Sequence, residues 1–302
     1  MHRSSALARI VTTLVTLLAV PVALLALSAG GVPWMQVVMR RMPLEAALPQ
    51  VLPMSIGWLA LGVVLLVVVG LLGIWSSAGL LVSGIYAVLF TVALLVPRLT
   101  VQLTLPLSEA LPGRLGIDGS YGLYYGVPAL VTIVLPVMGA VLAHARRRPV
   151  RSVPLSVVGT ILSPVLLFAG TLLMVGGVAT GLTIQLQRFE LTPQLGPGVA
   201  VLIGAVLIVL GVALTGVAPY ALIVPGIGAI GLTALFLTVL PYEVAGAGAI
   251  GGLRTMNVVS ALHGALITGA GLGLATLFLA FTVAVIVVRW RAGRSAEGVP
   301  QG

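Results

Sequence analysis

At 302 residues, 60% hydrophobic, 7% charged and with a formal net charge of +9, this chain cannot cover itself with an ordinary water-facing surface, which draws about a quarter of its residues from charged types. Its mean hydropathy of +1.23 excludes a soluble globular domain, and the absence of cysteine excludes disulfides, thiolate catalysis and cysteine-held metals. Every basic side chain is arginine, strung between apolar runs instead of gathered on one basic face, which argues against nucleic acid as a partner.

Apolar runs long enough for a hydrocarbon core of ~30 Å recur along the whole chain. They predict eight spans, starting near Ile10, Met54, Leu80, Gly122, Val153, Val199, Tyr220 and His263. The first follows Arg3 and Arg9 and runs to Leu27-Ser28-Ala29, a pattern that a cleaved signal peptide also fits. It is read as a retained span because it supplies the opening helix of the repeat described below. Trp34 to Met42, with Arg40 and Arg41 side by side, suits a strand or a short interfacial helix.

Trp75-Ser76-Ser77-Ala78-Gly79 forms a tight turn between the second and third spans. Beyond the third, Thr100-Val101-Gln102-Leu103-Thr104-Leu105 alternates polar and apolar residues, which predicts a short strand. The fourth span ends in Arg146-Arg147-Arg148. After the fifth, Thr183-Ile184-Gln185-Leu186-Gln187 repeats the alternation and leads to Arg188 and Glu190. A second tight turn, Gly216-Val217-Ala218-Pro219, joins the sixth span to the seventh.

Within the seventh span, Gly226-Ile227-Gly228-Ala229-Ile230-Gly231 matches the dinucleotide fingerprint by letter, as does Gly246 through Gly251. That fingerprint works only after a strand and at a helix N-terminus, so the first is read as helix packing and the second as a flexible loop. Glu243, Arg254 and His263 follow at the outer boundary of the last span. Gly269 and Gly273 form a GxxxG pair, the expected tight helix contact. No aspartate, glutamate or arginine falls deep in a span, which argues against a carboxylate proton relay or a voltage sensor. Pro21, Pro136, Pro164 and Pro225 are expected to kink their spans.

Arginines set the orientation by the positive-inside rule. Arg3, Arg9, Arg146, Arg147, Arg148, Arg151, Arg289, Arg291 and Arg294 share one side and outnumber those on the other, where Glu45, Glu109, Asp118, Glu190 and Glu243 offset the rest. Both termini are therefore expected in the cytoplasm. The exclusive use of arginine, with abundant Ala, Gly, Val and Leu, points to a GC-rich coding sequence and a bacterial plasma membrane.

Long and short connections alternate identically in the two halves. Arg41 aligns with Arg188, Gly57 with Gly204, Pro97 with Pro241, Gly126 with Gly269, and Arg146 and Arg148 with Arg289 and Arg291. The fold expected is an all-α polytopic membrane protein: eight transmembrane helices as two tandem parallel four-helix repeats, residues 1–150 and 151–302, with a small extracytoplasmic cap containing short β-strands.

No metal or cofactor motif survives inspection. The function expected is a non-enzymatic scaffold or accessory subunit that engages membrane lipid or a protein at its extracytoplasmic face, with Arg41, Arg188, Glu190, Glu243, Arg254 and His263 as binding candidates. One alternative is a permease moving a neutral or lipid-like substrate along the seam between repeats. Another is an outer-face enzyme in which His263 works with Glu243 or Glu190.

Overall fold

In hydrocarbon every backbone N–H and C=O must find a partner inside the chain, and a run of apolar residues satisfies this only as a helix. The computed structural model describes residues 5–40, 42, 44–111, 113–146, 153–188, 192–238 and 253–297, and all their regular structure is helical. In chain order the helices are α1 (Ala6–Met39), α2 (Leu44–Leu72), α3 (Ala78–Val82), α4 (Gly84–Leu95), α5 (Pro97–Ala110), α6 (Arg114–Tyr124), α7 (Val127–Ala145), α8 (Val153–Arg188), α9 (Leu195–Ala213), α10 (Ile223–Phe236), α11 (Leu253–Ala265) and α12 (Gly271–Glu297). A kinked turn, Leu266–Ala270, in which Gly269 is non-helical, joins the last two.

Among the described residues seven stretches are long and apolar enough to cross a membrane: Ala6–Val38, Glu45–Leu72, Ala78–Leu95, Val127–Ala145, Leu155–Leu182, Leu195–Gly216 and Val258–Arg294. The expected span from Tyr220 is instead α10, an apolar helix of 14 residues. At 1.5 Å per residue it is about 21 Å long, short of a ~30 Å core.

The expected β-strands are helical. Thr100–Leu105 lies inside α5 and Thr183–Gln187 inside α8, and no strand occurs among the described residues. In α5 the inward face is Pro97, Thr100, Val101, Thr104 and Leu107, while Arg98, Gln102, Leu105 and Glu109 are exposed. That is a helical stripe, and over six residues it overlaps a period of two. Pro97 opens the helix, where its missing N–H costs nothing. The threonine hydroxyls turn back to the chain, Thr100 to the Ala93 carbonyl at 2.8 Å and Thr104 to that of Thr100 at 2.7 Å.

Consecutive long helices pair, α1 with α2 and α8 with α9. Small residues let them close: a Cβ on Gly170 would lie 2.8 Å from the Gly204 carbonyl oxygen, and one on Gly204 2.6 Å from that of Gly170. α7 and α12 pack on each other at the centre, and each also contacts the second helix of the opposite half, α7 on α9 and α12 on α2. Val131, Leu135 and Met138 of α7 and Leu277 and Phe281 of α12 are fully buried there.

Gly79 packs on Thr12 and Thr16, Gly73 on Leu142, and Gly70 on Ala280. The start of α1, the turn before α3, and the ends of α7 and α12 therefore gather at one end of the bundle, here the terminal end. The opposite, far end carries the end of α1, the start of α2, and α5 and α6.

Candidate functional site

Of the residues picked out by sequence, Arg41, Glu190 and Glu243 lie outside the described residues. Arg188 is the last residue of α8 and Arg254 the second of α11, so these two sit on different helices. His263 is not a surface anchor. It lies within the Val258–Arg294 span, has 0% exposure, and stacks on Phe236 with ring centroids 6.3 Å apart and an interplanar angle of 14°. α11 and α12 follow one another across a kink at Gly269 within a single apolar stretch, and His263 lies on its α11 side. Through Phe236 it adjoins the apolar cluster of Trp34, Met35, Phe236, Leu266 and Ile267.

Gly269 and Gly273 are both in the last span, but they behave differently. Gly269 has φ +122°, a backbone conformation that L side chains rarely adopt. A Cβ there would also lie 2.7 Å from that of Leu27, whereas one on Gly273 would sit 3.2 Å from Val131 Cγ2 and 3.3 Å from Leu27 Cδ1. Gly269 thus breaks the helix where α1 crosses it, and Gly273 is ordinary tight packing one turn on.

Such a break at membrane depth frees carbonyls and often marks a binding site. Here the carbonyls are taken. Ser28 donates to that of Thr268 at 2.9 Å, Thr268 donates its hydroxyl to that of Gly264, and the Gly271 N–H reaches that of Leu266. Glycine supplies the room: a side chain on Gly31 would meet the Ile267 carbonyl, one on Gly264 the Tyr125 ring, and one on Gly271 the Thr233 hydroxyl. The bend is closed and filled, a structural joint between α1, α6, α10 and α12.

At the terminal end two arginines cap two turns. Nη2 of Arg146, at the end of α7, donates to the carbonyls of Gly73 and Ile74. Nη2 of Arg289, on α12, donates to those of Thr215 at 3.2 Å and Gly216 at 2.6 Å. In each case a guanidinium closes the C-terminal carbonyls of a preceding span, where positive charge also meets the negative helix end.

The open space is at the far end. A cavity of about 450 Å³ lies between the end of α1, the start of α2 and the start of α6. Its polar lining is Gln36, Arg40, Gln50 and Asp118, and its apolar lining includes Val37, Val51, Met54 and Ile117. Arg40 caps α1 just beyond the end of its span at Val38, and Gln50 lies near the start of the α2 span at Glu45, so the cavity straddles the edge of the apolar zone. Beside it, Trp34 Nε1 donates to Ser55 Oγ at 2.9 Å, both side chains buried, and so ties α1 to α2. Neither Gln36, Arg40, Gln50 nor Asp118 stood out in the sequence as a binding group. Only the convergence of three helices makes them one.

A larger cleft, about 670 Å³ between α8, α9 and α11, has Thr180 as its one polar side chain among the described residues, and that hydroxyl donates to the Gly176 carbonyl at 2.8 Å. Among the described residues no group of three His, Cys, Asp or Glu side chains is placed to hold a metal ion. Compared with protein-family models, with curated proteins and with solved structures, the chain matches none.

Proposed function

We propose that this chain is a non-enzymatic membrane protein of the bacterial cell envelope, an accessory or scaffold subunit that holds a lipid headgroup at its extracytoplasmic face. The observation that carries this reading is the far-end cavity, which sets a guanidinium, a carboxylate and two amides beside apolar side chains at the ends of two candidate spans, where headgroups are expected to meet acyl chains. A peptide or protein surface would need a broader contact than this recess offers.

The proposal includes eight crossings as two parallel repeats, residues 1–150 and 151–302. Three features support it. Arg146 and Arg289 each reach back 73 residues to a glycine carbonyl. Gly126 and Gly269, at the same spacing ahead of those arginines, both have positive φ. The contacts of α7 with α9 and of α12 with α2 are reciprocal, as an axis along the membrane normal requires. In this scheme the eighth crossing is α10 together with the hydrogen-bonded turns that flank it, since the helix is too short alone, follows the terminal-end turn at Thr215 and finishes with Phe236 beside Trp34. Both termini are then cytoplasmic and the cavity external.

A permease route along the seam has no support in its lining, because Val131, Leu135, Met138, Leu277 and Phe281 fill it. An outer-face enzyme loses its histidine to the core.

The test is native mass spectrometry of the protein released from mild detergent or nanodiscs. Wild type is expected to retain about one phospholipid that Arg40→Ala loses roughly tenfold more readily, as removal of a charged hydrogen bond worth ~1.5 kcal/mol implies. Retention unchanged by Arg40→Ala counts against the headgroup site.

A further inference from the structure

The far-end cavity has a counterpart in the second half of the chain. We infer that the cleft between α8, α9 and α11 is a second lipid site, which takes an acyl chain of a bilayer phospholipid; this extends, and rests on, the lipid-site reading above.

The two hollows occupy matching positions. The spacing that takes Gly57 to Gly204 takes Pro33, Val37 and Gln50 of the first cavity to Thr180, Ile184 and Pro197, and all three line the cleft. The third wall matches as well. α6 packs on α1, and α11 packs on α8. The spacing from Gly126 to Gly269 takes Leu115 of α6 to Val258, which lines the cleft from α11, while Gly113 and Ile117 on either side of Leu115 line the first cavity. In each half, then, the end of a long helix, the start of the next, and the helix ahead of a positive-φ glycine leave the same gap.

The cleft begins at the far end beside Ile184, just past the end of its span at Leu182, and follows α8 inward to Leu172. The helix rises about 18 Å over that stretch, close to the ~15 Å that the chains of one leaflet occupy in a core of ~30 Å. Leu172, Leu173, Ile184, Pro197, Ala200 and Val258 present hydrocarbon along it, and about 670 Å³ is a volume typical of sites that enclose small ligands. Apolar surface alone gives no preference here, because lipid tails are as apolar as leucine. A groove holds one chain over its fluid neighbours by touching it on several sides, and dispersion contacts add up. Glycine leaves the room: a Cβ on Gly176 would reach only Val258 Cγ2 at 4.0 Å, and one on Gly196 nothing within 4 Å. The acyl chain lies along this wall irrespective of the polar groups at the mouth.

The experiment is native mass spectrometry of the full chain in mild detergent, with dipalmitoyl and didecanoyl phosphatidylglycerol offered in equal amounts. Wild type is expected to hold a further phospholipid besides the one that depends on Arg40, and to take it as the dipalmitoyl form by roughly tenfold, since the longer chain fills more of the cleft. Gly176→Phe and Ala200→Phe, which fill the cleft with protein, should each lose this lipid roughly tenfold more readily, while Arg40→Ala leaves it bound. A wild-type chain with no lipid beyond the Arg40-dependent one, or one that takes the two chain lengths equally, overturns the second site and leaves the first standing. A further lipid that survives both phenylalanine variants overturns it too. If the cleft lipid behaves as expected but Arg40→Ala changes nothing, the headgroup reading falls and the acyl-chain site remains. The wild-type comparison of chain lengths decides alone should either variant fail to fold.

Discussion

Single residues carry the sharpest constraints in this molecule, and Gly269 carries the sharpest of all. A side chain there must adopt φ +122° and press on Leu27, so Gly269→Ala is expected to cost about 2–4 kcal/mol, strain and overpacking together. Gly57 is the control: it lies inside α2, and a Cβ there would meet nothing within 4 Å, so Gly57→Ala should be neutral or stabilise by up to ~1 kcal/mol. Thermal unfolding of both variants in one detergent measures the contrast. Trp34 offers a second test. Trp34→Phe keeps most of the ring but removes the donor to Ser55, whose side chain has 0% exposure, and should destabilise by roughly 1–2 kcal/mol. The additional substitution Ser55→Ala should recover part of that loss, because no polar group is then left unmatched.

At the scale of elements, the two arginine caps act as staples between spans. Each guanidinium holds two adjacent carbonyls at the foot of a preceding helix. Burial draws the Arg146 guanidinium below its usual value, so the carbonyls it meets are what offset its desolvation. Arg146→Gln and Arg289→Gln are each expected to lose about 1.5–3 kcal/mol, and their effects should add, since the two sites share no partner. Lysine in either place should restore only part, because one ammonium does not reproduce the planar fork. Unfolding midpoints of the two single variants and the double variant decide this. α5 shows the converse lesson. Its exposed Arg98, Gln102 and Glu109 and inward Thr104 make an amphipathic surface helix, and the backbone pairing within that helix removes the need for a strand partner, while Thr100 ties it to the Ala93 carbonyl of α4.

For the whole molecule, the two halves meet through α7 and α12, and the seam is filled by large apolar side chains. Such a core favours a rigid body over an opening one, which suits a scaffold better than a carrier. The proposed crossing number is testable because the chain has no cysteine, so any introduced thiol is a unique reporter. Leu7→Cys and Gly293→Cys at the terminal end should react with a membrane-impermeant maleimide only after lysis, and Ala110→Cys at the far end in intact cells. Labelling of Leu7→Cys and Gly293→Cys from opposite sides would mean an odd number of crossings and end the repeat scheme.

Composition and run length alone determined that this is a multi-pass helical membrane protein, because hydrocarbon leaves a spanning apolar run no other way to satisfy its backbone. The arginines at the ends of the fourth and last spans, Arg146 and Arg289, were also legible, since charge cannot rest in lipid and stays at span ends. The helical character of α5 was not, because six residues cannot separate a period of two from one of 3.6. Nor was the burial of His263, which lies inside the last span against Phe236, a residue of a different helix. The cavity walled by Arg40, Gln50 and Asp118 came from tertiary structure alone: its polar groups belong to three helices, and their convergence is a property of packing that no local pattern encodes.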